Sequence, residues 1–247
     1  MLGIYGFTIQ LYCDFSGYSD IAIGLALLMG YRFLDNFRAP FKSQNPTEFW
    51  RRWHISLSFW LRDYLYIPLG GNRCGKTRRN ANLMSTMVIG GLWHGASWMY
   101  LLWGAIHGFY LVVHKELKRI LPSLPDEKKG QWWRVAANMF VTFNLMALAF
   151  VFFRARSLED VQAMGHQIVN DFHLSVAPQF VEGYLFIVLA MLLGYFMHLA
   201  PSSWSVAVKR QMEKLHPVVL ALILAAVILL VIQVRQSEIV PFIYLQY

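Results

Sequence analysis

The stretch "LMSTMVIGGLWHGASWMYLLWGAIHGFYLVV", Leu83 to Val113, runs for 31 residues without a Lys, Arg, Asp or Glu. Near its middle, "GGLWHGASW" (Gly90 to Trp98) sets one imidazole, His94, between glycines. A helix that simply crossed a bilayer would need about 20 apolar residues, and two crossings about 40. A run of intermediate length with a glycine-flanked ring at its centre predicts a broken or re-entrant helix pair. The expected break runs from Gly90-Gly91 to Gly95, with His94 at the tip. Broken backbone at membrane depth is tolerated only where protein or a water-filled cavity covers it. An ionisable ring in such a place is a functional candidate by default.

The surrounding composition supports a bilayer as the solvent. Apolar residues make up 57% of the 247 and charged residues 15%, against averages of roughly 45–50% and about 25% in soluble domains. Four further stretches approach spanning length: Leu2–Tyr31, interrupted by Asp14 and Asp20, then Val135–Phe153, Phe180–Ala200 and Val218–Val234. The first residues lack the basic region of a cleavable signal peptide. The net charge of +8 does not point to nucleic acid, because the basic residues fall in clusters between apolar runs.

Those clusters set a topology. Arg32–Arg79 carries ten Lys/Arg, His114–Arg134 six, Arg154–Gln179 two and Pro201–His216 three. The positive-inside rule places the first, second and fourth connections in the cytoplasm. The third connection and the C-terminus then lie outside. With both flanks of Leu83–Val113 on one side, that stretch must enter and return. Cys13 and Cys74 lie far apart, without metal-type spacing, and predict neither a disulfide framework nor a metal site.

The long basic connection contains "NPTEFWRRWHISLSFWLRDYLYIPLGG". Asn45 is placed to cap a helix, with Pro46 at its first position and Glu48 at its third. Phe49, Trp53, Trp60 and Tyr64 recur at helical spacing, with Arg51, Arg52 and Arg62 off the stripe. The segment reads as one amphipathic helix, interfacial or dipping in against the bundle, with His54 on its apolar side beside Trp50, Leu57 and Leu61. "PSLPDEKKGQ", Pro122 to Gln131, is the expected flexible connection.

Three blocks, "QLYCDFSGYSDIAIGLALLMGY", "FWRRWHISLSFWLRDYLYIPLGGNR" and "GGLWHGASWMYLLWGAIHG", resemble the membrane-bound O-acyltransferase family. The nearest resemblance is to its branch holding the membrane subunit of bacterial alginate O-acetyltransferase; the branch that transfers D-alanine to teichoic acid is also similar. The resemblance implies an all-α, polytopic transmembrane bundle in a bacterial inner membrane, with the broken pair carrying His94. It implies acyl transfer to a hydroxyl, with His94 catalytic and His54 a second functional histidine. Acetyl-CoA is the implied donor substrate; no bound cofactor and no metal are implied. A periplasmic acetyltransferase that modifies an exported polysaccharide is the implied partner, beside the lipid bilayer. The C-terminal "PFIYLQY" resembles a motif of these systems in which a Tyr, here Tyr244, relays the acyl group; relatives usually end in Phe where this chain has Tyr247. Relatives of this branch are about twice as long, so residues 1–247 are expected to be the C-terminal portion of one such domain.

Each candidate has a plainer reading. His94 is a general base, a covalent acyl carrier, or a core ring bonding a broken backbone. His54 lines a donor entrance or packs as an interfacial ring. Arg51, Arg52 and Arg62, with Lys76, Arg78 and Arg79, meet donor phosphates or anionic headgroups. Asp14 and Asp20 are expected to be structural, packing helices as ion pairs with an arginine. His107, His114, His166, His173, His198 and His216 show no partner spacing and read as ordinary. Two rival functions remain: a transporter or channel with Asp14, His54 and His94 on its path, and an inactive scaffold.

Overall fold

The computed structural model describes residues 1–121 and 131–234. They fold into eleven α-helices, with no strand among the described residues, as the sequence predicts. Tyr244 and most of Pro122–Gln131 lie outside the described residues. The chain divides at Tyr195/Phe196 into two compact units.

The first unit opens with α1, Leu2–Leu28. Gly30 ends it at φ +84°, and Tyr31 N–H reaches back to Ala26 O at 2.8 Å. This closure needs a left-handed residue, which glycine supplies without a Cβ penalty. An irregular run leads to α2 (Pro46–Trp50) and α3 (Ile55–Leu61), followed by one π-helical turn, Arg62–Tyr66. Asn45 caps α2 as predicted, its side chain accepting from Glu48 N–H at 2.8 Å.

The single amphipathic helix predicted here does not form. Its chain turns at Arg51–His54, where His54 adopts a left-handed φ of +43°. The aromatic stripe therefore splits: Phe49 and Trp53 are buried, whereas Trp60 and Tyr64 stand exposed. Helical spacing across a break carries no information about a common face.

α4 (Lys76–Trp93) and α5 (Trp98–Ile120) form the broken pair. The break is later than predicted. Gly90 and Gly91 remain helical, and the chain leaves helix only over His94–Ser97. The glycines serve packing instead. A Cβ on Gly91 would collide with the Tyr100 carbonyl oxygen, and one on Gly104 with the Met87 carbonyl oxygen. The two backbones therefore touch as an antiparallel hairpin. At its open end, Arg79 and Asn80 of α4 both hold Glu116 of α5.

α6 (Trp132–Arg154) packs on α5 and α1. It is the one described helix long and apolar enough by itself to cross a membrane, with mean hydropathy 1.9. Met146, Ala149 and Phe150 are fully buried there, and Asn144 accepts from Tyr5 OH of α1 at 2.7 Å. α7 (Leu158–Val169) follows, capped by Ser157. The predicted span Phe180–Ala200 is not straight. α8 (Ala177–Gly183) and α9 (Leu185–Leu199) meet at a 97° bend, placed where Gly183 weakens the helix. Tyr195 OH donates to Tyr5 O at 2.8 Å, which seats this part of α9 on α1.

The second unit, by itself, contains the end of α9, then α10 (Ser202–Met212) and α11 (Pro217–Val234). The apolar side chains of α11 from Val218 to Ile232 are largely exposed.

Candidate active site

His94 stands at the tip of the hairpin, directly after α4, its N–H bonded to Gly91 O at 3.0 Å. Aromatic rings surround its imidazole. Trp103 lies at 5.1 Å and Phe153 at 5.2 Å, both edge-on, and Tyr100 at 6.2 Å. His94 is half-buried as a residue, and its Nδ1 is shielded from solvent. Ser97 accepts from Met99 N–H at 3.2 Å and starts α5 three residues past His94, which fixes the turn.

His54 comes to the same place from the other direction. It is 7% exposed. Its ring packs edge-on against Phe15 of α1 at 4.7 Å and faces Trp93 at 6.0 Å and His94 at 6.5 Å. Its ring neighbours thus lie on α1 and at the hairpin tip. A hydrogen-bond hub holds the turn. Asn36 O accepts from Ile55 N–H at 3.0 Å, and Asn36 Oδ1 accepts from Ser56 N–H at 3.2 Å and Ser56 Oγ at 3.0 Å. A non-glycine residue in left-handed backbone persists only where its surroundings over-determine it.

His107, read as ordinary from the sequence, is fully buried. It lies between Trp103 at 4.7 Å and Trp50 at 5.1 Å, so it backs the Trp103 wall of the His94 cage. Its flanking Gly104 and Gly108 repeat the glycine-flanked pattern of His94, a signal that was present in the sequence. Asn36, Phe15 and Ser19 had no such signal.

The other candidates scatter. Arg52 pairs with Glu48 at 2.7 Å and Arg62 with the adjacent Asp63 at 2.7 Å; Arg51 is exposed. Asp14 is half-buried and Asp20 exposed. No ion pair joins Asp20 to an arginine among the described residues, so the predicted pairing fails there: its side chain faces outward. No group of His, Cys, Asp and Glu that would hold a metal occurs among the described residues, and Cys13 and Cys74 are free thiols. A cavity of about 730 Å³ lies between α5 and α6, with Tyr110, His114, Lys118, Trp133 and Arg134 in its wall; neither His54 nor His94 lines it.

The family model of the membrane-bound O-acyltransferases matches residues 2–157. The chain belongs to that family. The matched segment holds α1 to α6 and both candidate histidines. A probable alginate O-acetylase of Pseudomonas putida is 53% identical over 157 residues, 64% of this chain and 31% of the relative. A peptidoglycan O-acetyltransferase of Helicobacter pylori is 45% identical over 153 residues, 62% of this chain and 28% of the relative. A teichoic acid D-alanyltransferase of Streptococcus thermophilus is 38% identical over 169 residues, 61% of this chain and 39% of the relative. The chain thus spans about a third of the length of the curated relatives it matches. The membrane-bound character of the family agrees with the exposed apolar helices described above.

Proposed function

We propose that the hairpin tip is an acyl-transfer centre, in which an acetyl group leaves a cytosolic thioester donor on its way, through an acceptor hydroxyl, to an exported polysaccharide. The observation that carries this reading is the meeting of His54 and His94, 40 positions apart in the chain, at one aromatic-walled site.

The chemistry follows from the residues. A neutral imidazole at His94 takes the proton from an attacking hydroxyl as its oxygen adds to the thioester carbonyl. Collapse of the tetrahedral adduct expels the thiolate, and the same proton returns to sulfur. The products are an ester and a free thiol. A positioned base contributes typically 10²–10⁴-fold. The aromatic wall limits water, which would otherwise compete as nucleophile. Gly95 and Ala96, small residues beside the ring, would let an extended acyl arm approach closely.

The depth of the site agrees with such a role. The apolar part of α4, Leu83 to Trp93, is 11 residues, roughly 16 Å of helix. That is about half of a hydrocarbon core of roughly 30 Å. With the hairpin base in the cytoplasm, as the positive-inside rule expects, His94 lies near the membrane centre, within reach of both faces. In this reading the protein is a multi-pass inner-membrane enzyme with its C-terminus outside. Tyr244 there receives the acyl group, and a periplasmic acetyltransferase passes it to the polymer. Arg51, Arg52 and Arg62 lie on the donor side. The acetylase and acetyltransferase names of the relatives support acetyl; the D-alanyltransferase keeps other short acyl groups as test substrates.

The experiment places residues 2–157 of this chain in the matched segment of the Pseudomonas putida relative and reconstitutes the protein in vesicles. Acetyl-CoA labelled in the acetyl group is supplied on the cytoplasmic face. The reading predicts release of free CoA and label appearing on protein or on a luminal hydroxyl, and loss of that label with Tyr244→Phe when the C-terminal segment is included. Folded protein that releases no CoA would favour the scaffold or transport readings.

A further inference from the structure

We infer that Asn36 is a positioning residue that fixes His54 in the tautomer with its proton on Nδ1, leaving Nε2 as a hydrogen-bond acceptor in the site. The inference rests on reading His54 and His94 as the acyl-transfer site for its consequence, though not for its geometry.

Donors and acceptors decide the tautomer. The side-chain amide of Asn36 has one oxygen and one NH₂ group, and their orientation is commonly a matter of choice. Here it is forced. Ser56 N–H, a backbone group that can only donate, points at Asn36 Oδ1 at 3.2 Å. The oxygen must therefore sit on that side, and the NH₂ group must face Ser19 Oγ, which Nδ2 meets at 3.2 Å. The same oxygen lies 3.2 Å from His54 Nδ1. Two lone pairs would repel at that distance, so Nδ1 carries the hydrogen and donates. One alternative would reverse this, with Ser56 Oγ donating to Nδ1. Their separation is 3.5 Å, beyond a good hydrogen bond, and the hydroxyl already has the oxygen of Asn36 at 3.0 Å.

A neutral imidazole bears one ring hydrogen. With that hydrogen on Nδ1, Nε2 presents a lone pair. Nε2 is buried and has no protein partner, on a ring whose next neighbours are Trp93 and His94. The group that meets His54 Nε2 must then be a donor: a hydroxyl, a thiol or an amide N–H of a reactant. A bare carbonyl or phosphate oxygen does not fit this position. His54 thus enters the site as a proton acceptor beside His94, and its orientation is set from Asn36, a residue that touches no reactant. The main-chain oxygen of Asn36 binds Ile55 N–H, so one residue holds both the left-handed turn and the ring within it.

The test uses the 247-residue chain in detergent with ¹⁵N-labelled histidine. Eight histidines contribute; the His54 resonances are those lost in His54→Gln. Imidazole nitrogens with and without hydrogen differ widely in ¹⁵N shift, so the tautomer is read directly. The wild type should show a protonated Nδ1 and a bare Nε2. Asn36→Asp, which keeps the acceptor oxygen, should retain that pattern. Asn36→Leu should lose it while helix content by circular dichroism is unchanged. A wild-type His54 protonated on Nε2 would overturn the inference outright, even if Asn36→Leu fails to fold. So would a pattern indifferent to Asn36→Leu in folded protein. In the full-length chimera, Asn36→Leu should lower kcat on the order of 10²-fold with little change in KM for the donor, and Asn36→Asp should recover most of it. A chimera without turnover would count against the acyl-transfer reading and leave the tautomer result standing; turnover with an Nε2–H tautomer would do the reverse.

Discussion

The imidazoles of His54 and His94 lie 6.5 Å apart, ring centre to ring centre, at an interplanar angle of 62°. Neither ring is placed by its own helix alone. His94 follows the last turn of α4 at the hairpin tip, and His54 sits in a strained turn tied to Asn36. The gap is short enough for one small reacting group to touch both rings, and too long for a direct bond between them.

The hairpin should tolerate no side chain at its crossing. Gly104 has its Cα against α4, where an added Cβ meets the Met87 carbonyl oxygen and Val88 Cα. Backbone atoms cannot swing away as a side chain would. Gly104→Val should destabilise the protein by at least about 1–3 kcal/mol, seen as a lower midpoint of thermal unfolding in detergent. Gly3→Val is the control, since nothing lies within 4 Å of a Cβ there.

The open end of the hairpin should be sensitive to acid. Hydrogen bonds from Asn80 and Arg119 hold the Glu116 carboxyl down to about 2, from an ordinary value of 4.5, with Arg79 adding attraction. The depressed carboxylate stabilises the fold above about pH 4.5, and that contribution disappears as pH falls toward 2. The unfolding midpoint of wild type should exceed that of Glu116→Gln at pH 7, and the gap should close between pH 4.5 and 2. A gap independent of pH would show that the carboxylate charge is not what holds the base together.

His54 carries a backbone cost as well as a ring. Left-handed backbone costs an ordinary residue roughly 1–2 kcal/mol, and Asn visits it more readily. His54→Asn should therefore unfold at a higher temperature than His54→Ala, while both lose acyl transfer. Equal midpoints would mean that the turn is not strained.

The helical class, the break at His94 and the cap at Asn45 were legible in the sequence because each is local: a run without charges, a glycine-flanked ring, an Asn-Pro pair. Two features misled. The aromatic repeat from Phe49 to Tyr64 kept helical spacing across a turn that its periodicity does not register. Gly90 and Gly91 looked like a break, because glycine weakens isolated helix, but their purpose is close approach to α5, which only the tertiary fold reveals. Asn36 was invisible for a related reason. It lies in an aperiodic segment, 18 positions from the ring it orients, and the bonds that define its role form only when α1, the Asn36 loop and the His54 turn come together.

Whether His54 and His94 act as one centre is read most directly from a double-mutant cycle. Acetyl-CoA turnover would be measured in the chimera carrying residues 2–157, for His54→Gln, His94→Gln and both together. Residues that act as a unit lose activity non-additively. Each single variant should fall by about 10²-fold or more, and the double variant should fall little further than the worse single. Losses that multiply, or a single variant that keeps full turnover, would contradict the claim of a shared centre.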